Sequence, residues 1–116
     1  MNKRVALPAD DGLLSTIVDP TKLVDYQQGS IVSRTIVDKP TGTVTVFAFD
    51  AGQALSEHTS PFDAMVQVLH GKAELSIDGK PFPLAAGQML IMPANIPHAV
   101  TATESFKMLL TLIRSE

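Results

Sequence analysis

Two of the three histidines in this chain, His58 and His98, stand where an imidazole can do chemistry. Ser60 follows His58 by two positions, so on a strand the two side chains share a face while Glu57 and Thr59 point the other way. His98 follows Pro97 and opens an alternating segment, His98, Val100 and Ala102, set against Ala99 and Thr101. A histidine that leads an apolar face points inward. An imidazole changes charge near neutral pH, so two of them together could hold a divalent ion, move a proton or hydrogen-bond the polar end of a ligand. Each on its own also reads as an ordinary hydrogen-bonded residue of the interior or surface. His70 directly precedes Gly71 and reads as a solvated turn residue. Asp63 sits in a turn after Pro61 and Phe62, with little expectation of reaching a site, and Met89 and Met92 read either as pocket lining or as flexible core filler.

The remaining chemistry is bounded by composition. The chain has no cysteine, which removes disulfides, thiolate nucleophiles and thiolate metal sites together and suits the cytoplasm. Nine basic residues against twelve acidic ones, scattered singly, offer no basic field for a nucleic-acid backbone. Lys3 and Arg4 precede only a short apolar run before Pro8, less than an export signal needs, and no later segment is long and apolar enough to span a membrane. A soluble cytoplasmic protein with no nucleic-acid or membrane partner is therefore expected. At 116 residues the chain is the size of one domain.

The elements that must position the histidines read as strands. Short apolar segments separated by turn residues at close spacing give the pattern of an all-β sandwich or barrel. Residues 43–50 place Val44, Val46 and Ala48 on one face and Thr45, Phe47 and Phe49 on the other, so a strand covered on both sides is expected. Ala73, Leu75 and Ile77 alternate with Glu74, Ser76 and Asp78, as in a strand wetted on one face. Asp78-Gly79 marks a tight hairpin, since a type I′ turn needs positive φ at both positions. Residues 30–36 look like an edge strand in need of cover, and the second face of residues 106–113 is mixed enough to meet a partner. Residues 1–29 read as an irregular or short helical arm packed on a domain formed by residues 30–116.

From Gly52 the chain reads G-Q-A-L-S-E-H-T-S-P-F-D-A-M-V-Q-V-L-H-G, and from Gly87 it reads G-Q-M-L-I-M-P-A-N-I-P-H. In these two segments the sequence resembles the cupin family. Gly52, His58 and Gly71 fall on the first motif; Gly87, Pro93 and His98 fall on the second. Ser60 stands at the motif's second histidine, Ala64 at its glutamate, Asn95 at a glycine and Ala102 at the closing asparagine. The Asn95 exchange is mild because asparagine tolerates positive φ. The resemblance implies a single antiparallel jelly-roll β-barrel, with His58 and His98 as neighbours in its mouth and Ser60, Ala64 and Met92 beside them in a pocket.

With two of the family's ligand positions lost, His58 and His98 form an incomplete metal set. A weakly bound divalent ion such as Zn, Ni, Mn or Fe is the most they are expected to hold. Three functions stay open: a metal-free module that binds a small, possibly anionic molecule; an oxygenase- or isomerase-type enzyme on a reduced two-histidine site; or a structural or regulatory homodimer with a vestigial pocket. An anion is expected to bind more tightly as pH falls toward about 6 and the imidazoles protonate. A homodimer is expected, with residues 30–36 or 106–113 in its interface.

Overall fold

The computed structural model describes residues 3–9 and 11–114 and is built almost entirely of strands. They are β1 (Lys3–Leu7), β2 (Ser30–Lys39), β3 (Gly42–Phe49), β4 (Ala54–His58), β5 (Phe62–His70), β6 (Lys72–Ile77), β7 (Lys80–Ala85), β8 (Met89–Met92), β9 (His98–Thr101) and β10 (Phe106–Arg114). Six strands form one sheet in the order β1-β2-β3-β10-β5-β8 and four form a second in the order β4-β9-β6-β7. The sheets face each other across the barrel interior, and their outermost strands leave the barrel open at its seams.

The alternation seen in the sequence decides what each face buries. Phe47 and Phe49 of β3 turn inward to meet Phe106 and Met108 of β10, Val66 and Val68 of β5, Ala73 and Leu75 of β6 and Val100 of β9. Phe49 and Phe106 stack with ring centroids 4.6 Å apart. The opposite face of β3 carries Val46 and Ala48, both fully buried, in a second cluster with Val24, Val32 and Leu109. The expected double cover of β3 is thus provided by the barrel interior on one side and the N-terminal arm on the other.

The arm holds two 3-10 turns, Asp11–Leu13 and Pro20–Lys22, and irregular chain, as expected. Asp19 caps the second turn, its carboxylate accepting from the Thr21 amide at 3.0 Å and the Thr21 hydroxyl at 2.7 Å. Lys107 of β10 donates its ammonium to the Thr21 carbonyl at 2.6 Å and lies 5.1 Å from the centre of the Tyr26 ring. His70 was expected as a solvated turn residue; it is exposed at the end of β5, but its Nδ1 lies 2.7 Å from the Tyr26 hydroxyl and so helps moor the arm.

The arm also contains β1, which the sequence did not reveal. It runs parallel to β2, pairing Lys3 with Ser30 through Leu7 with Arg34, and is the one parallel pairing among the described residues. The expectation that residues 30–36 form an uncovered edge is therefore corrected: β2 lies between β1 and β3. Two turns follow the backbone rules closely. Asp78 and Gly79 have φ of 52° and 80°, the two positive values of a type I′ hairpin. Gly71 has φ of 79°, and a Cβ there would collide with the Ser105 carbonyl oxygen, so only glycine joins β5 to β6.

Candidate functional site

His58 ends β4 and His98 begins β9, and the two are direct cross-strand partners after a register shift between Leu55 and His58. Their rings meet edge to face, with centroids 4.4 Å apart and planes at 67°. The loop leading into His98 is held at several points. Asn95 adopts φ of 66°, as its place at a glycine position implied, and its amide donates to the Ser60 carbonyl at 2.7 Å. The Ala94 amide donates to the Asp63 carboxylate at 2.9 Å, and the Asp78 amide donates to the Pro97 carbonyl at 2.7 Å. Asp63 thus clamps the loop instead of reaching the histidines.

Each imidazole is oriented by its own backbone. The Nδ1–H of His58 donates to the Ser56 carbonyl at 2.7 Å, and the Nδ1–H of His98 donates to the Ile96 carbonyl at 3.2 Å. A carbonyl only accepts, so Nδ1 carries the proton and Nε2 of each neutral ring carries the lone pair. Neither Nε2 has a partner among the described residues. His98 is 5% exposed, whereas His58 is exposed at the mouth. Burial pushes the pKa of His98 below its ordinary 6.5; the hydrogen bond to Ile96 opposes that shift and the charge of nearby His58 adds to it. His98 is therefore harder to protonate than an ordinary histidine.

Behind the two rings lies a cavity of about 100 Å³. The five residues expected at the pocket, His58, Ser60, Ala64, Met92 and His98, all line it. They come from both sheets: Ala64 of β5 pairs with Met92 of β8 and with Leu112 of β10, opposite the β4–β9 pair. Ala64 and Met92 are buried, while Ser60 is half-buried with its hydroxyl turned to the Phe62 backbone. Met89, the other methionine weighed for the pocket, is 55% exposed on the outer face. Leu55, Val100, Met108, Leu110 and Leu112 complete the lining. Of these, sequence analysis placed only Val100, on the apolar face that His98 leads, and the small side chain at Ala64, set among larger ones, is the one signal that the space between them is not filled.

The donor set can be weighed against a metal. Nδ1–H bonds to backbone carbonyls are the arrangement that metal-bound histidines use. A zinc or iron site, however, takes three or more protein ligands, and among the described residues no group of three His, Cys, Asp or Glu side chains lies together. Ala64 offers no oxygen and Ser60 a neutral one already engaged locally. The residues present do not fit a resident divalent ion.

Residues 45–113 match the family described as Cupin domain. A conserved protein of unknown function from Streptococcus pyogenes is similar in structure, with a TM-score of 0.84 and 43% identity over 88% of this chain and 90% of that one. A cupin 2 conserved barrel domain protein from Leptotrichia buccalis has a TM-score of 0.79 and 46% identity, covering 81% of this chain and 46% of that one. Among curated proteins, polyketide synthase CurC of Streptomyces cyaneus is 27% identical over 82 residues, which are 70% of this chain. The chain spans about half the length of the curated relatives it matches, 53% and 51%.

Proposed function

The chain belongs to the cupin family, and from that premise we propose that it binds a small, mostly apolar molecule in the barrel mouth, with His98 and His58 accepting hydrogen bonds from its polar end. The observation that carries this reading is the pair of preset imidazoles, each with Nδ1–H tied to backbone and Nε2 unbonded, at the rim of an otherwise apolar cavity. A neutral Nε2 accepts, so the favoured partner is a hydroxyl or similar donor, not a bare anion. A cavity of about 100 Å³ is smaller than the roughly 300–1,000 Å³ of drug-sized sites, so it suits a short chain or one end of a larger molecule. No step of this function passes through a metal.

NMR titration with 1-butanol and with methyl propyl ether, which has the same shape and no donor, tests the reading. Butanol should shift the signals of Ala64, Met92, His98 and Val100, and the ether should do so more weakly. Equal response to both would remove the histidines from the account, and no response to either would remove the pocket.

We also propose a homodimer in the cytoplasm, the location resting on the cysteine-free sequence. The outer face of the six-stranded sheet exposes Val37, Met89, Ile91 and Ile113, away from the part that the arm covers. Contact through this face, which includes β10, replaces contact through the β2 edge, already taken by β1. No described helix is long and apolar enough to cross a membrane. Sedimentation at micromolar concentration tests the assembly, and a monomer there would contradict it.

A further inference from the structure

The N-terminal strand brings a charged side chain to the mouth. In β1, Arg4 pairs with Ile31 and Val5 with Val32. Directly opposed residues point to the same side of a sheet. Val32 and Val5 belong to the outer cluster beneath the arm, whereas Ile31 belongs to the barrel interior. Arg4 therefore projects from the interior-facing side of β1, the outermost strand of its sheet, toward β4, the outermost strand of the other. Arg4 meets Leu55, Ser56 and His58 of β4 around a second hollow of about 310 Å³. Leu55 and His58 also line the inner cavity, so the two spaces adjoin and His58 stands between them.

We infer that this outer hollow is a carboxylate subsite and that the ligand is a small hydroxycarboxylic acid, its hydroxyl end at the histidine pair and its carboxylate on the Arg4 guanidinium. This rests on the proposed pocket and assigns the charge recognition that the pocket itself lacks. The inner cavity is apolar apart from two imidazoles and one hydroxyl, and neither a lysine nor an arginine lines it to meet a carboxylate. A guanidinium offers a planar fork of donors that matches a carboxylate. Among the described residues Arg4 has no acidic partner to displace.

The test is NMR titration of the full chain with 4-hydroxybutyrate and its neutral amide, 4-hydroxybutyramide, on the wild type, Arg4→Gln and Arg4→Lys. Arg4 is exposed on an edge strand, so neither substitution disturbs packing. The wild type should bind the acid about tenfold more tightly than the amide, the effect of one charge-assisted hydrogen bond at an open site. Arg4→Gln should abolish that preference and leave the amide's affinity unchanged, and Arg4→Lys should restore part of it. An Arg4→Gln variant that keeps the preference overturns the subsite while leaving the pocket standing, provided that Ala64 and Met92 still respond. If the acid shifts the Arg4 side-chain signal while the inner-cavity signals stay silent, the pocket reading fails and the anion site survives. Silence at both sites overturns both.

Discussion

The two ends of the barrel are made from the same strands, yet one is filled and the other hollow. Along β10, Phe106 is fully buried and stacks on Phe49, with Ala73, Val68 and Leu84 around them. Two and three pleat repeats later, Leu110 and Leu112 line the cavity with Ala64, and beyond them stand two histidines instead of another layer of hydrophobes. At the closed end large side chains interdigitate; at the open end a small one and two polar ones leave a cavity of about 100 Å³. On the proposed reading, stability and recognition are thereby separated along one set of strands. The closed end supplies the packing, and the open end gives up packing to keep a space with two directed acceptors.

Substitutions at the two ends should differ most in stability. Phe106→Ala empties the packed end and should cost about 3–5 kcal/mol in denaturant unfolding. Ala64→Leu adds bulk at the hollow end, where there is room, and should change stability by no more than about 1 kcal/mol while abolishing the response to butanol. Comparable losses at both sites would erase the distinction between the ends.

A sharper intervention rebuilds the mouth. Ser60→His together with Ala64→Glu adds an imidazole and a carboxylate beside His58 and His98. The double variant should retain about one Mn, Fe, Ni or Zn ion per chain after dialysis and gain roughly 2.7 kcal/mol at a metal concentration a hundred times the dissociation constant. Each single variant should fall between. A folded double variant that takes up no metal would show that these four positions do not converge, and a wild type already carrying tight stoichiometric metal would overturn the donor-set argument.

The smallest expected effect is in pH dependence near neutrality and comes from His98 at the open end. Burial lowers the pKa of His98 in the fold below its ordinary 6.5. As pH falls through that value the unfolded chain takes up the proton first, so the contribution of His98 to stability is intact above it and declines toward the lower folded value. Unfolding midpoints measured at about pH 7.5 and about pH 5.5 should therefore draw closer together in His98→Asn than in the wild type. An unchanged gap would mean that His98 is not held neutral by burial.

Much of this arrangement was legible in the residues. Gly71, Asn95 and Asp78-Gly79 occupy backbone conformations that few residue types accept, so the motif places of Gly71 and Asn95 and the hairpin signal of Asp78-Gly79 marked the turns that set His58 against His98. The alternation of residues 43–50 told both faces of β3 apart, because strand periodicity is local. β1 was not legible. Five residues are too few to show a period, and its partner, β2, begins after two 3-10 turns and an irregular stretch, so nothing local signals a parallel pairing. The mooring of His70 by Tyr26 was hidden for the same reason, being a contact between distant segments. The hollow was the least legible feature. Leu110 and Leu112 are the same residue types whether they pack against a neighbour or border a void, and only the assembled sheets decide which.

The central claim is that the hollow end receives a small ligand whose hydroxyl meets the unbonded Nε2 of a histidine. Intermolecular NOEs measured on the protein with 1-butanol test it most directly. The account predicts contacts from the butanol methyl to the methyl groups of Ala64, Met92 and Val100, together with a shift of the His98 Nε2 resonance and none in His98→Asn. Butanol contacts confined to the exposed residues Val37, Met89, Ile91 and Ile113 on the outer sheet face, with Ala64 and Met92 silent, would contradict it.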